Sequence, residues 1–186
     1  MTPAASPTKR TLSTADERRE AVLEAGMQVF GERGFLGTPT MEVAKAAGIS
    51  QAYLFRLFPT KSELILAVIE RSNQRIYEAF AEAAAVAKAE GRDPGEAMGE
   101  SYSALLADRR LLLTQIHQHA AAAAMPEVAE ASRQMFARLY ALVQRETGAD
   151  PEALQQFFAH GMLMNVMAAI GAQDDDGPWA QTLRVC

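Results

Sequence analysis

Signals that start and stop helices crowd together near residue 50, and they constrain the fold more than any other feature of this chain. Thr40 is placed to cap one short helix, which ends at Gly48. Ser50 is placed to cap another, which ends before Pro59 because the residue preceding a proline avoids the α region. The segment therefore predicts two short helices joined by a turn centred on glycine.

Longer helices are predicted on both sides of this pair. Thr14 and Glu17 match a capping box, and the helix that they begin should stop near Gly34. Thr60 is placed to cap a long helix that continues to about Glu90. A supporting helix followed by two short helices around a tight turn is the helix-turn-helix pattern.

The remaining sequence predicts further helices and no sheet. The chain has 36 alanines among its 186 residues, and the alternation of β-branched residues that marks strands is almost absent. We expect an all-α protein, in which a long helix joins an N-terminal three-helix domain to a C-terminal helical domain. The segments predicted to be helical in the C-terminal part are 94–108, 109–125, 126–147, 151–171 and a short helix around Trp179.

Charge divides the chain along the same boundary. Residues 1–13 are predicted to form a flexible, weakly basic arm, residues 14–62 the helix-turn-helix domain and residues 63–186 the second domain. Residues 1–62 hold eight Lys and Arg against six Asp and Glu, a net charge of +2, whereas residues 63–186 hold ten against seventeen, a net charge of −7. No acid occurs between Glu42 and Glu63. Because phosphate attraction supplies most of the non-specific affinity for DNA, this window favours a nucleic-acid partner for the N-terminal domain.

Several functional classes are not expected. No apolar stretch approaches the roughly 18 to 20 residues of a membrane span, and the N-terminus lacks the apolar region of a signal peptide, so we expect a soluble, cytoplasmic protein. Cys186 is the single cysteine. A glycine-rich phosphate loop, metal-ligand spacing and a nucleophile elbow are all lacking, so no enzyme, cofactor or metal site is predicted.

Two stretches resemble the helix-turn-helix core of tetracycline-repressor (TetR) family regulators. They are Gly34-Phe35 with Thr38–Ser50, and Leu54–Leu64. The resemblance covers about residues 18–66, and it implies a homodimeric transcriptional regulator that responds to a small molecule. The N-terminal helices would bind DNA, and the C-terminal helices would dimerise and enclose the ligand.

The resemblance also implies roles for individual residues. Thr40 would cap its helix and touch a phosphate, and Lys61 would hold another phosphate. Phe55 stands where the family usually has a phosphate-binding tyrosine, so it lacks the hydroxyl that would donate. The DNA-binding residues predicted in this way are Thr40, Ser50, Gln51, Ala52, Tyr53, Phe55, Arg56 and Lys61.

Chemistry leaves alternatives open for several of these side chains. Gln51 has the amide that pairs with adenine, or it is a solvated helix residue. Tyr53 contacts DNA or packs on the first helix, and Arg56 reaches a phosphate or pairs with an acid on a neighbouring helix. Lys9 and Arg10 track the minor groove or belong to a solubilising tail.

The C-terminal domain gives weaker signals, all on one helix. One face is predicted to line a ligand pocket through Phe157, His160, Met164 and Met167, although each of these residues is also compatible with an ordinary core. A second face is predicted to form the dimer contact, or else to be buried within one subunit. Its residues are Phe158, Gly161, Asn165, Ala168, Ala169 and Ala172.

These observations predict a dimeric DNA-binding regulator, a repressor that leaves its operator when an apolar molecule binds. The alternatives are a helical interaction module and a DNA-binding protein without a ligand. The sequence does not specify the operator or the effector. It also does not distinguish a repressor from an activator.

Overall fold

The chain folds into helices throughout residues 15–183, which are the residues that the computed structural model describes. The N-terminal part holds α1 (Ala15–Arg33), α2 (Thr40–Ala46), α3 (Gln51–Leu57) and the long α4 (Lys61–Glu90). The C-terminal part holds α5 (Pro94–Leu106), α6 (Arg109–Ala122), α7 (Pro126–Thr147), α8 (Pro151–Ala169), a 3-10 turn (Ala172–Asp174) and α9 (Pro178–Leu183). The all-α prediction is confirmed. The Thr14 cap, the basic arm with Lys9 and Arg10, and Cys186 lie outside the described residues.

Most helix boundaries follow the predicted caps. The hydroxyl oxygen of Ser50 accepts a hydrogen bond from the backbone N–H of Tyr53 (3.2 Å), and that of Thr60 accepts from the N–H of Glu63 (3.1 Å). Gly34 follows α1 with φ +78°, a conformation that costs a glycine little. The two hydrogen bonds mark where α3 and α4 begin, and Gly34 marks where α1 ends.

The predicted cap of α2 is wrong. Pro39 occupies the N-cap position without a side-chain hydrogen bond, and Thr40 is the first residue of the helix. The Thr40 hydroxyl instead accepts a hydrogen bond from Gln51 across the turn. Several C-terminal ends also lie a few residues earlier than predicted, since α5 ends at Leu106 and α6 at Ala122.

Two hydrophobic cores share the long helix α4. The first surrounds Phe30, Leu54 and Phe58 and includes α4 as far as Ile69. The second begins at Ile76 and continues through α5 to α8. The first core also takes in one buried residue from each of α6 and α7, so the two parts of the molecule are in contact away from α4 as well. No helix among residues 15–183 is long and apolar enough to cross a membrane.

Candidate nucleic-acid interface and internal cavity

One face of α3 belongs to the core and the other lies at the surface. Leu54 is fully buried, and Phe58 just after the helix is buried with it, as the spacing of four residues predicts. The opposite face consists of exposed Gln51, Ala52, Phe55 and Arg56. An exposed helix face on a firmly packed base is the geometry required of a helix that enters a DNA groove.

A hydrogen bond between side chains joins the beginnings of α2 and α3. Gln51 Nε2 donates to Thr40 Oγ1 over 3.2 Å. Thr40 is mostly buried, so its contact gives the exposed Gln51 amide a fixed support. The structure thus brings two of the predicted DNA-binding residues together.

Lys61 is the first residue of α4. Its Nζ donates to the backbone carbonyl of Leu36 over 2.8 Å, and partial burial lowers its pKa from the usual value. The Leu36 side chain is itself exposed. This contact positions a cation beside the segment that leads into α2.

Tyr53 lies between two arginines rather than packing only on α1. The guanidinium carbons of Arg18 and Arg56 are 5.6 and 5.7 Å from the centre of its ring. Arg56 was predicted to contact DNA, whereas Arg18 was not. Arg18 belongs to α1, so no signal near residue 53 of the sequence indicates that it joins this cluster.

The C-terminal helices surround a cavity of about 860 Å³. Residues of α4, α5, α6, α7 and α8 form its wall, and most of them are apolar. Phe80 packs edge-on against both Tyr102 and Phe157, with ring centres 5.7 and 5.9 Å apart. The size is within the range of pockets that hold drug-sized molecules.

Three buried amides in this wall have unpaired atoms. Asn165 Nδ2 donates to the Tyr102 hydroxyl (2.5 Å), and this hydroxyl donates to Gln115 Oε1 (2.8 Å). Asn165 Oδ1, Gln115 Nε2 and Asn73 Nδ2 have no hydrogen-bond partner among residues 15–183. An unpaired buried polar atom costs roughly 1–3 kcal/mol, so such a cluster marks a site for a polar partner.

Charge at the cavity has one sign. Glu96 and Glu100 belong to the lining, and Glu100 accepts from Arg92 Nη2 over 2.7 Å. Burial raises the pKa of Tyr102 to about 12 and lowers that of His119, so both side chains favour their neutral forms at neutral pH. No Lys or Arg is among the lining residues within the described part of the chain.

The predicted pocket face is largely at the cavity. Phe157, His160 and Met164 belong to the lining. Met167 does not, because it is buried further along α8 in a small cluster with Ala172.

The structure places most residues of the predicted dimer face inside the subunit. Phe158, Gly161 and Asn165 line the cavity, and Asn165 is only 1% exposed. Ala168 and Ala172 are 6% and 3% exposed and Ala169 is partly buried, so this face is turned into its own subunit. The reason is that small residues also allow close packing of helices within one chain, and periodicity does not separate the two cases.

Apolar residues of α8 and α9 are exposed on a different face. This surface consists of Met162, Val166, Ile170, Trp179 and Leu183, and each of these side chains is at least 37% exposed. Met162 also lines the cavity. We call this set the α8–α9 apolar face. A group of exposed apolar residues is typical of a protein contact.

Helix α6 contacts both the cavity and the first helix of the N-terminal part. Its Gln115 and His119 line the cavity. On another side, Thr114 Oγ1 donates to the carbonyl of Met27 (3.4 Å), and His117 Nε2 lies 3.2 Å from the carbonyl oxygen of Gly31.

Comparison with known proteins places these features in a family. Residues 22–68 match the family model described as bacterial regulatory proteins, tetR family. With a TM-score of 0.69 and 25% identity, the structure is similar to that of Salmonella enterica GusR over 94% of this chain and 95% of the other. Residues 22–68 of the chain are thus those of a TetR-family protein.

Curated relatives match about a third of this chain. The transcriptional activator FasR of Mycolicibacterium smegmatis is 43% identical over 56 residues, which are 30% of this chain and 26% of FasR. The nucleoid occlusion factor SlmA of Haemophilus ducreyi is 36% identical over 69 residues, which are 37% of this chain and 34% of SlmA. The matches therefore span about a quarter to a third of these relatives.

Proposed function

We propose that this protein is a dimeric, sequence-specific DNA-binding transcriptional regulator, and that it represses its target until a small apolar molecule enters the cavity. The exposed face of α3, which includes the cation Arg56 and has no acid, is the observation that carries the proposal. This surface lies within residues 22–68, the part that matches the family model. A function as an enzyme has no corresponding support.

Each predicted DNA-binding side chain has a task in this proposal. Gln51 reads a base in the major groove, and its bond to Thr40 orients the amide. Lys61 and Arg56 contact phosphates, which position the protein without reading sequence. Phe55 is 40% exposed and offers an apolar contact, such as one with a thymine methyl group, in place of a hydroxyl.

The dimer is proposed to form through the α8–α9 apolar face. Two copies related by a two-fold axis bury this face against itself and present two α3 helices to one side. Half-sites one helical turn of DNA apart, about 34–36 Å, are what such a dimer reads.

Helix α6 is proposed to couple the cavity to the DNA-binding surface. A ligand that contacts Gln115 shifts α6, and α6 shifts α1 through the contacts of Thr114 and His117. The ligand favours a dimer whose α3 helices no longer match successive major grooves. A loss of operator occupancy requires a preference for that state of a few kcal/mol.

Fluorescence anisotropy on the DNA upstream of the protein's own gene tests the proposal. We expect tight binding that weakens steeply with salt, and weaker binding to a scrambled fragment of the same length. Binding without sequence preference contradicts the proposal. No binding even at low salt favours the alternative of a helical interaction module.

Analytical ultracentrifugation tests the dimer with a matched pair of variants. Val166 on the α8–α9 apolar face and Val86 on α4 are both 48% exposed. Val166→Asp should give a monomer, and Val86→Asp should leave the dimer intact. The same behaviour of both variants contradicts the proposed interface.

A further inference from the structure

We propose that the cavity selects an uncharged aromatic molecule carrying a hydrogen-bond donor and an acceptor side by side, as a primary carboxamide does, and that it rejects the corresponding carboxylate. The inference rests on the proposed function in taking the cavity as the effector site, and it adds the chemical class of the effector.

A relay of three side chains supplies the polar recognition. Tyr102 is in the middle, with Asn165 on one side and Gln115 on the other. The two unpaired atoms at the ends are an acceptor, Asn165 Oδ1, and a donor, Gln115 Nε2. All three residues are at most 7% exposed, so water does not freely solvate these groups.

The hydrogen bonds of the relay can run in either direction, and in both cases one donor and one acceptor stay unpaired. If both amides are turned over, Gln115 donates to Tyr102 and Tyr102 donates to Asn165. The unpaired atoms are then an acceptor on Gln115 and a donor on Asn165. In either direction the relay leaves one donor and one acceptor unpaired, and a ligand that reaches both satisfies them only if it carries the complementary pair.

The charges around the cavity exclude an acid. A carboxylate needs a cation or several donors to compensate for the loss of its water, and the described lining has no Lys or Arg. Glu96 in the lining repels an anion further, whereas the charge of Glu100 is paired with Arg92. The Tyr102 hydroxyl keeps its proton, because burial raises its pKa to about 12.

Aromatic rings in the wall favour an aromatic body for the ligand. Phe157 and Phe158 meet edge-to-face, with ring centres 5.6 Å apart, and Phe157 meets Phe80 in the same way. Such rings prefer a further ring in an edge-on or offset position. The volume of about 860 Å³ accommodates a fused bicyclic ring.

Three probes of nearly equal shape test the selectivity on the full chain without DNA. Naphthalene-2-carboxamide has both a donor and an acceptor, 2-acetylnaphthalene has the acceptor alone, and 2-naphthoate is the anion. By calorimetry we expect the carboxamide to bind about fivefold more tightly than the ketone and at least tenfold more tightly than the naphthoate. Equal or tighter binding of the naphthoate, or no binding of the carboxamide at millimolar concentration, overturns the proposal.

A matched pair of variants assigns binding of the carboxamide to the relay. Gln115→Met removes the unpaired amide, whereas Gln118→Met removes an amide of the same helix that donates to Ser132. Gln115 is one of the two partners of the carboxamide in either direction of the relay, so we expect Gln115→Met to bind the carboxamide several-fold more weakly than the parent and Gln118→Met to bind it about equally. Unweakened binding to Gln115→Met, or an equal loss in both variants, contradicts the role of the relay.

The two proposals fail in distinguishable ways. If the carboxamide is selected but leaves operator affinity unchanged, the selectivity stands and release by ligand is wrong. If the protein binds its operator specifically but prefers the naphthoate, the selectivity is wrong and DNA binding stands.

Discussion

Buried polar side chains are hydrogen-bonded in the part of the chain that carries α1 to α3, whereas several around the cavity have an unpaired atom. Within residues 15–69, the buried polar side chains are Thr38 and Thr40, and both are hydrogen-bonded. Around the cavity, Asn73, Gln115 and Asn165 each have an unpaired atom. A surface that reads DNA requires a rigid base, whereas a site that binds a variable partner needs polar groups left available.

The two regions should differ most in how much stability they lose when an aromatic side chain is removed. Phe30 is fully buried in the first core, and Phe30→Ala should lower the free energy of unfolding by about 3–5 kcal/mol. Phe157 is partly buried at the cavity, so Phe157→Ala enlarges an existing space and should cost less than half as much. Urea denaturation of both variants measures this, and equal losses would remove the contrast between the two regions.

Next in size are the effects on DNA binding. Gln51→Ala should cost about 1–3 kcal/mol at the operator and relax the preference at one base pair. Lys61→Ala should weaken binding to every sequence and reduce the salt dependence. Anisotropy titrations on cognate and scrambled DNA separate these roles. An equal loss on both fragments for Gln51→Ala shows that this residue does not read a base.

Replacing a buried polar side chain by an apolar one should change the free energy of unfolding in opposite directions in the two regions. Thr38 Oγ1 donates to the carbonyl of Gly34 over 2.6 Å, so Thr38→Val should destabilise by about 1 kcal/mol. Asn73 has an unpaired Nδ2, so Asn73→Leu should stabilise by about 1 kcal/mol. Denaturation midpoints compare the two, and destabilisation by both variants would show that the cavity amides have no net cost.

The smallest expected effect concerns pH at the start of α6. Hydrogen bonds from Arg110, with a further contribution from Arg75, lower the pKa of Asp108 to about 2. The unfolded chain binds the proton nearer pH 3.8, so this stabilisation is present above that pH and is lost as the pH falls towards 2. Asp108→Asn should therefore differ in stability from the parent at pH 5 by up to about 1 kcal/mol and much less at pH 2. A difference that is independent of pH contradicts the assignment.

Sequence reasoning was most accurate where the determining signals are local. The caps Ser50 and Thr60 lie next to the helices that they begin, and their hydrogen bonds span three residues. Thr40 was misassigned because two adjacent residues both fit the boundary, and Pro39 occupies the cap position without needing a side-chain bond.

The cavity depends on residues that are distant in sequence. Its relay joins Tyr102, Gln115 and Asn165 from three helices, and Asn73 comes from a fourth. The α8 pattern predicted Phe157, His160 and Met164 at the cavity, but it placed Asn165 at a dimer contact. Which of two neighbouring faces points inward is set by how α8 packs on α5 and α6, and this packing has no local signature.

The most direct test of the regulator is the operator affinity of one preparation with and without naphthalene-2-carboxamide, with occupancy of the cavity confirmed by calorimetry. Coupling between the two regions predicts that the saturated protein binds its operator at least fivefold more weakly, with binding to scrambled DNA little changed. An unchanged operator affinity at full occupancy would contradict it.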